Sequence, residues 1–250
     1  MEPISKINKI FRKNIFLRSI FRLYQFIFII PFFGFWTFLL FITIFIPLMI
    51  FGNPIARFGG MIWAKITTYI TFVRLKLSGT CNIKQNQSYV IVANHQSNYD
   101  IFAFYGWLPI DFRWVMKKEM RKAPIIGLFC EKAGHVFIDR KNTDEAVKSL
   151  NEAANKIRNG TSILFFPEGT RNDGECLLPF KKGAFKMALD LNLPILPITI
   201  RGSNDIMHPN KIQVYPGKIE IIIHEPIDIS KHNDIDSLMN ASRDAIQSAL

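Results

Sequence analysis

The hydrophobic pattern changes character once along this chain. Residues 23–51 carry no charge, and as one helix they would extend roughly 43 Å, against a hydrocarbon core of about 30 Å. Beyond about residue 80, short apolar runs alternate with segments of helical spacing, the pattern of an α/β domain. Strands are predicted at 89–93, 112–116, 135–138, 162–166, 195–200 and 219–224, and helices at about 98–107, 123–132, 142–158, 182–191 and 234–249. The clearest helix is 142–158. Val147, Leu150, Ala154 and Ile157 line one face, Asn142 with Glu145 resembles a capping box, and Gly160 closes the end. The only compositional boundary lies near residue 80, so the chain divides into 1–79, a membrane-associated helical segment, and 80–250, an α/β domain.

The uncharged run is long enough to span a bilayer once and too short to span it twice. Pro31, Gly34 and Pro47 interrupt it. It is too long for the apolar region of a signal peptide, and no small-x-small cleavage site follows Phe51. A buried core helix would have to absorb too many consecutive large apolar residues. Upstream, Ile4, Ile7, Phe11 and Ile15 recur at helical spacing, with Lys6, Lys9, Arg12 and Lys13 on the other face, as in a helix lying on a membrane surface. Basic residues ahead of the run hold the N-terminus in the cytoplasm. A re-entrant or in-plane hairpin bent near Pro31 and Gly34 would keep the following domain on that side, at a bacterial inner membrane. The segment 55–78, with Ile62, Trp63, Ile66, Tyr69 and Ile70, reads as a further interfacial helix.

Charge sharpens this picture. The net charge is +11, and residues 1–22 hold Lys6, Lys9, Arg12, Lys13, Arg18 and Arg22 against the single acid Glu2. A basic excess beside a hydrophobic segment points to anionic lipid. Nucleic acid is the competing partner, but the chain has no zinc-finger spacing and no RNA-binding aromatic signature, so none is expected. Cys81, Cys130 and Cys176 are odd in number and widely spaced, which argues against a disulfide framework or a cysteine-built metal site.

Two strings carry candidate chemistry. In the first, Asn94, His95, Gln96, Ser97, Asn98, Tyr99 and Asp100 follow an apolar strand. On one helix, residues five apart point about 140° away from each other, so His95 and Asp100 meet only if His95 lies in the loop and Asp100 in the first helical turn. Asp100 would then hold one imidazole nitrogen and leave the other as a base for a hydroxyl. The competing reading is a capping box formed by Ser97 and Asp100, with His95 an ordinary loop residue. In the second string, Phe166, Pro167, Glu168, Gly169, Thr170 and Arg171 end another strand. They read either as a type I turn with solvated charges or as a polar-headgroup site. In the headgroup reading, Arg171 contacts phosphate, Glu168 holds glycerol hydroxyls or positions Arg171, and Gly169 allows close backbone approach. Arg140, after the strand at 135–138, is either a second phosphate contact or an exposed strand-end charge. Lys117, Lys118, Lys181 and Lys182 face solvent or lipid headgroups, and Pro194 and Pro197 flank the start of an apolar strand.

Taken in order, these residues resemble the 1-acyl-glycerol-3-phosphate acyltransferases, within the wider glycerolipid acyltransferases. The motifs are Asn94–His95 with Asp100, the run from Gly134 to Arg140, the string from Phe166 to Arg171, and Leu193, Pro194, Ile195 with Pro197. The resemblance covers about residues 80–205. It implies a mixed, largely parallel sheet flanked by helices behind an N-terminal membrane motif. It also implies that His95 is the general base, with Asp100 its partner. Phe137 and Arg140, with Glu168, Gly169, Thr170 and Arg171, would bind the acceptor's glycerol phosphate, and Pro197 would support the acyl-donor region. His135 and Asn172 fall where variation is expected. The implied reaction moves an acyl chain from acyl-CoA or acyl-ACP to the sn-2 hydroxyl of lysophosphatidic acid, with no cofactor, metal or protein nucleophile. There is no GxSxG elbow. Backbone amides of the His95 loop are the default oxyanion donors. A sibling acyltransferase for glycerol 3-phosphate or another lysophospholipid, and a non-catalytic membrane lipid-binding protein, remain as alternatives.

Overall fold

A computed structural model describes residues 14–51, 53–124, 126–139, 142–154, 157, 159–172, 176–209, 211–232 and 234–250. Arg140 and the amphipathic segment expected over residues 4–13 lie outside them.

The N-terminal part is helical. Helix α1 (Ile15–Tyr24) is capped by Asn14, whose side chain accepts the N–H groups of Phe16 and Leu17. A single wide π turn, Gln25–Ile29, leads into α2 (Ile30–Phe51). Pro31 lies just past that turn, and a residue without an N–H is tolerated where the ladder has already been opened. The stretch Ile15–Ile44 is long and apolar enough to cross a membrane by length and composition. Helix α3 (Asn53–Ile70) packs back along α2: Trp63 Nε1 donates to Thr37 Oγ1 at 3.0 Å, and Gly59 lets Ile44 approach its backbone. The hairpin expected at Pro31–Gly34 is therefore corrected. Both residues are inside α2, and it is α3 that runs back along α2.

The helix expected over 55–78 stops at Ile70, and Val73–Ser78 forms strand β1. Phe72, with φ +56°, makes the break, and the alternation of buried and exposed side chains then has the period of a strand. The sheet thus begins ahead of the expected boundary at residue 80. Its other strands are β2 (Val90–Ala93), β3 (Asp111–Lys117), β4 (Val136–Ile138), β5 (Thr161–Phe165), β6 (Ile195–Arg201) and β7 (Gly217–Ile223). The order is β1-β7-β6-β2-β5-β3-β4. Every pair is parallel except β6 with β7, so the sheet is mixed and mostly parallel.

Helices cover both faces: α4 (Asp100–Trp107), α5 (Ile126–Lys132), α6 (Thr143–Ala154), α7 (Gly183–Leu191), the short α8 (Ser203–Ile206) and α9 (Ile235–Gln247). Asn142 caps α6 by accepting the Glu145 N–H at 3.2 Å. Period-2 alternation divides each central strand between two cores. Ile91, Ala93 and Leu164 pack with Phe104 of α4, while Val90, Val92, Ile163 and Phe165 pack with Phe185 of α7 and Leu238 of α9. Pro197 lies inside β6, as the strand expected at 195–200 requires, opposite Val92. It carries no N–H, and the ladder with β7 starts only at Ile198.

Candidate active site

The carboxyl ends of β2, β5, β3, β4 and β6 open on one edge of the sheet, the usual place for a ligand in an α/β fold. β2 ends at Ala93, and its next residue is locked. Asn94 is buried, donates through Nδ2 to the Ile200 carbonyl and accepts the Ile200 N–H, both at 2.8 Å. His95 follows in the loop, and Asp100 opens α4. Their side chains meet, with Nδ1 2.7 Å from Oδ2. The same Oδ2 accepts the N–H groups of Gln96 and Ser97 at 2.9 and 3.0 Å. Dyad and cap therefore coexist: one carboxylate ties down the loop backbone and the imidazole together.

Asp100 is fully buried at a helix N-terminus, where the macrodipole favours negative charge. An ionised carboxylate only accepts, so Nδ1 donates to it, and in the neutral imidazole this is the tautomer that leaves the lone pair on Nε2. The His95 side chain is 16% exposed, which leaves a way in from one side. Phe166 stacks on the ring from the other, with centroids 3.9 Å apart and planes 8° from parallel.

The turn after β5 holds the backbone of His95 at both ends. Its N–H donates to Glu168 Oε1 and its carbonyl accepts the Asn172 N–H, each at 3.0 Å. Glu168 Oε2 accepts the Leu178 N–H at 2.9 Å and the Asn172 side-chain amide. Burial pushes the Glu168 carboxyl above its ordinary range, against the pull of these donors. Both oxygens are thus engaged within the protein, which corrects the expectation that Glu168 positions Arg171. Arg171 instead donates to the Pro209 carbonyl at 3.0 Å. The turn itself matches its sequence: Gly169 donates its N–H to the Phe166 carbonyl and has φ +73°. A Cβ there would meet Lys181 Cε at 2.9 Å. Thr170 is exposed beside it.

The amides of His95, Gln96 and Ser97 all bond within the protein. That corrects the expectation that they supply the oxyanion donors. Phe137 lies on β4, three strands from β2 and so about 14 Å across the sheet. The Arg121 guanidinium sits over its ring at 5.7 Å. The lysines are more engaged than expected: Lys118 pairs with Asp139 at 3.7 Å and Lys182 with Asp236 at 2.7 Å.

Sequence reasoning missed three contributors. Phe166 and Asn172 touch or hold His95, although both flank residues already singled out. The segment after α8 also reaches the loop, since Ser97 Oγ donates to the Met207 carbonyl. His135, set aside as variable, is buried; it bonds the Tyr105 hydroxyl, and its Nδ1 accepts the Trp114 N–H at 3.2 Å. These contacts join residues far apart in the chain, and no local pattern announces them.

The family model described as Acyltransferase matches residues 74–201. A 1-acyl-sn-glycerol-3-phosphate acyltransferase from Chlamydomonas reinhardtii is 32% identical over 86% of this chain and 67% of its own length. The alpha form of that enzyme from Homo sapiens is 33% identical over 64% of this chain and 56% of its length. The chain thus spans from just over half to two thirds of these relatives. The crystal structure of the 1-acyl-sn-glycerophosphate (LPA) acyltransferase PlsC from Thermotoga maritima superposes with a TM-score of 0.71 at 26% identity, covering 92% of this chain and 90% of that one.

Proposed function

The chain belongs to the acyltransferase family, and on that premise we propose that it transfers an acyl chain from acyl-CoA or acyl-ACP to the sn-2 hydroxyl of 1-acyl-glycerol 3-phosphate, giving phosphatidic acid. The observation that carries the reading is the His95–Asp100 pair, in which Asp100 holds Nδ1 and leaves Nε2 as the nitrogen for a substrate hydroxyl at the carboxyl edge of the sheet. His95 Nε2 takes the hydroxyl proton as the acceptor oxygen attacks the thioester carbonyl. Asp100 stabilises the imidazolium that forms. The tetrahedral intermediate collapses, the carbon–sulfur bond breaks, and the imidazolium returns its proton to the thiolate. Free thiol and phosphatidic acid leave.

Arg171, with Gly169 and Thr170 beside it, faces the acceptor phosphate, and Phe137 extends that site along the edge. Arg140, outside the described residues, is assigned to the same site from the sequence motif alone. Glu168 serves the same site by fixing the turn against His95. The reading places the reaction at a membrane. The apolar residues Phe16, Phe26 and Phe28 are exposed along the N-terminal helices at 72%, 72% and 60%, and lipid is the solvent that covers such a face. The catalytic domain lies on its cytoplasmic side. Named relatives are algal and animal as well as chloroplastic, so a bacterial inner membrane is one instance of that placement.

Purified full-length protein offered labelled lysophosphatidate, glycerol 3-phosphate or lysophosphatidylcholine, each with acyl-CoA or acyl-ACP, tests the reading. Phosphatidic acid from lysophosphatidate alone is the expected product. Preferred turnover of another acceptor overturns the headgroup assignment. Thioester hydrolysis without transfer, or none at all, overturns the reaction.

A further inference from the structure

A second set of contacts ties the apolar N-terminal helix to the loop that carries His95. Residues 207–209 and 211–215 lie between them. At one end, Ser97 Oγ donates to the Met207 carbonyl and accepts the Tyr99 N–H at 3.0 Å. Close by, Arg171 Nη1 donates to the Pro209 carbonyl at 3.0 Å. At the other end, Gln25 Nε2 donates to the Val214 carbonyl. Arg22 Nη2 lies 3.4 Å from Gln213 Oε1, and the rings of Phe21 and Tyr215 stack with centroids 6.1 Å apart. Tyr215 N–H donates to the Ile206 carbonyl at 2.8 Å, which ties the two parts together beside α8 into a strap anchored at both ends.

Gln25 is the informative residue. It opens the single wide turn in the long apolar helix, where its neighbours Phe26, Ile27 and Phe28 are exposed. Gln25 itself is only 6% exposed. A primary amide buried on such a helix is unfavourable unless its hydrogen-bonding groups are satisfied. Here its partner is the strap's backbone, where any side chain would have served equally at Val214. This is a connection between the helix and the strap's path.

We propose that Gln25 is a positioning residue for acyl transfer: through Val214 it holds the strap, which the Tyr215–Ile206 bond joins to Met207, and through Met207 the strap holds Ser97 and the loop on which His95 faces Asp100. The inference rests on the reading of His95 as the base. Gln25 touches no reacting atom. Its effect reaches the dyad because the N–H groups of Gln96 and Ser97 both end on Asp100 Oδ2, so displacing Ser97 alters the carboxylate that orients the imidazole. The seating of the apolar helix is thereby linked to the alignment of the base.

A double-mutant cycle on the full chain in phospholipid vesicles tests this, with Gln25→Leu, Ser97→Ala and the pair. Each single change is expected to lower kcat about fivefold to fiftyfold, less than the roughly hundredfold of a 1 Å misplacement, with KM for the donor unchanged. The pair should fall no further than the worse single variant, because both break one chain of contacts. Carbethoxylation of His95, followed on its own peptide, should accelerate alike in all three. Vesicle flotation of Gln25→Leu should match the parent, because its apolar neighbours that face lipid are unchanged. Losses that multiply independently, or an unchanged kcat in Gln25→Leu, overturn the proposal. If Gln25→Leu does not accumulate, Tyr215→Ser, which removes the ring stacking from the strap's side, takes its place in the same cycle. A parent protein that acylates no acceptor overturns the acyltransferase reading instead, and the carbethoxylation cycle still decides the role of Gln25.

Discussion

A histidine becomes a usable base only when its environment chooses the tautomer and fixes the ring. Asp100 does the first by accepting from Nδ1, and Phe166 does the second by stacking. His95→Ala should therefore lower kcat by about 10²–10⁴-fold, the usual size of a general-base contribution. Asp100→Asn can still set an oxygen where the three donors meet, because Oδ1 has no hydrogen-bond partner among the described residues and can yield its place to the amide nitrogen. It removes the negative charge that stabilises the imidazolium, so kcat should fall by about 10²-fold or more; turnover at matched protein levels reads both. Glu168 supports the same ring from behind. In Glu168→Gln, one oxygen can still accept from His95, but an amide nitrogen would face the donors of Leu178 and Asn172. An unpaired buried donor costs about 1–3 kcal/mol, so kcat is expected to fall about tenfold or more. Unchanged kcat in that variant would mean that the turn does not hold the loop. Within this small region, spacing alone showed that His95 and Asp100 can meet across a loop-to-helix junction. It did not show Phe166, Asn172 or Met207, because their contacts depend on how separate elements are placed.

At the scale of elements, alternation and helical spacing located six of the seven strands and the main helices to within a few residues. β1 was missed because its residues continue an amphipathic helix without a proline or glycine to mark the end, and Phe72 breaks it with a positive φ that a non-glycine residue seldom adopts. The far end of β1 does carry a glycine with a physical reason. Gly79 has φ +76°, and a Cβ there would lie 1.9 Å from the Ile223 carbonyl oxygen. Gly79→Ala is expected to loosen β1 from β7 at about 2–3 kcal/mol, a thermal midpoint lower by about 4–10 °C. Vesicle flotation should not change, since α1 and α2 lie outside that pair. The hairpin was misplaced for a related reason: the wide turn at Gln25–Ile29 accommodates Pro31 before the proline can break the helix.

For the whole molecule, His135 and Glu220 are among the groups that make stability depend on acid. Burial, and then the nearby Arg113, push the His135 imidazole down to about 3. An unfolded histidine takes up a proton below about 6.5 and the folded one does not, so stability should decline as pH falls from 6.5 toward 3. Glu220 is held down to about 2, first by Lys218 and then by Arg201. Its contribution is complete above 4.5 and is lost as pH falls from there toward 2. Urea midpoints in detergent micelles should begin to drop near pH 6.5. Glu220→Gln should flatten only the part below 4.5, and a flat profile down to pH 5 would count against the buried neutral His135.

The amino-acid sequence by itself determined the two regimes of this protein, an apolar helical region and an α/β domain, because burial periodicity is written locally. It also determined the residue types at the carboxyl edge, because a base, a carboxylate and a turn glycine must lie where strands end. Tertiary structure decided what those residues hold. It put Glu168 on the His95 backbone, sent Arg171 to Pro209, and brought Gln25 of the apolar helix to the strap behind Ser97. Those choices depend on strand order and helix placement, which are set by packing between segments far apart in the chain.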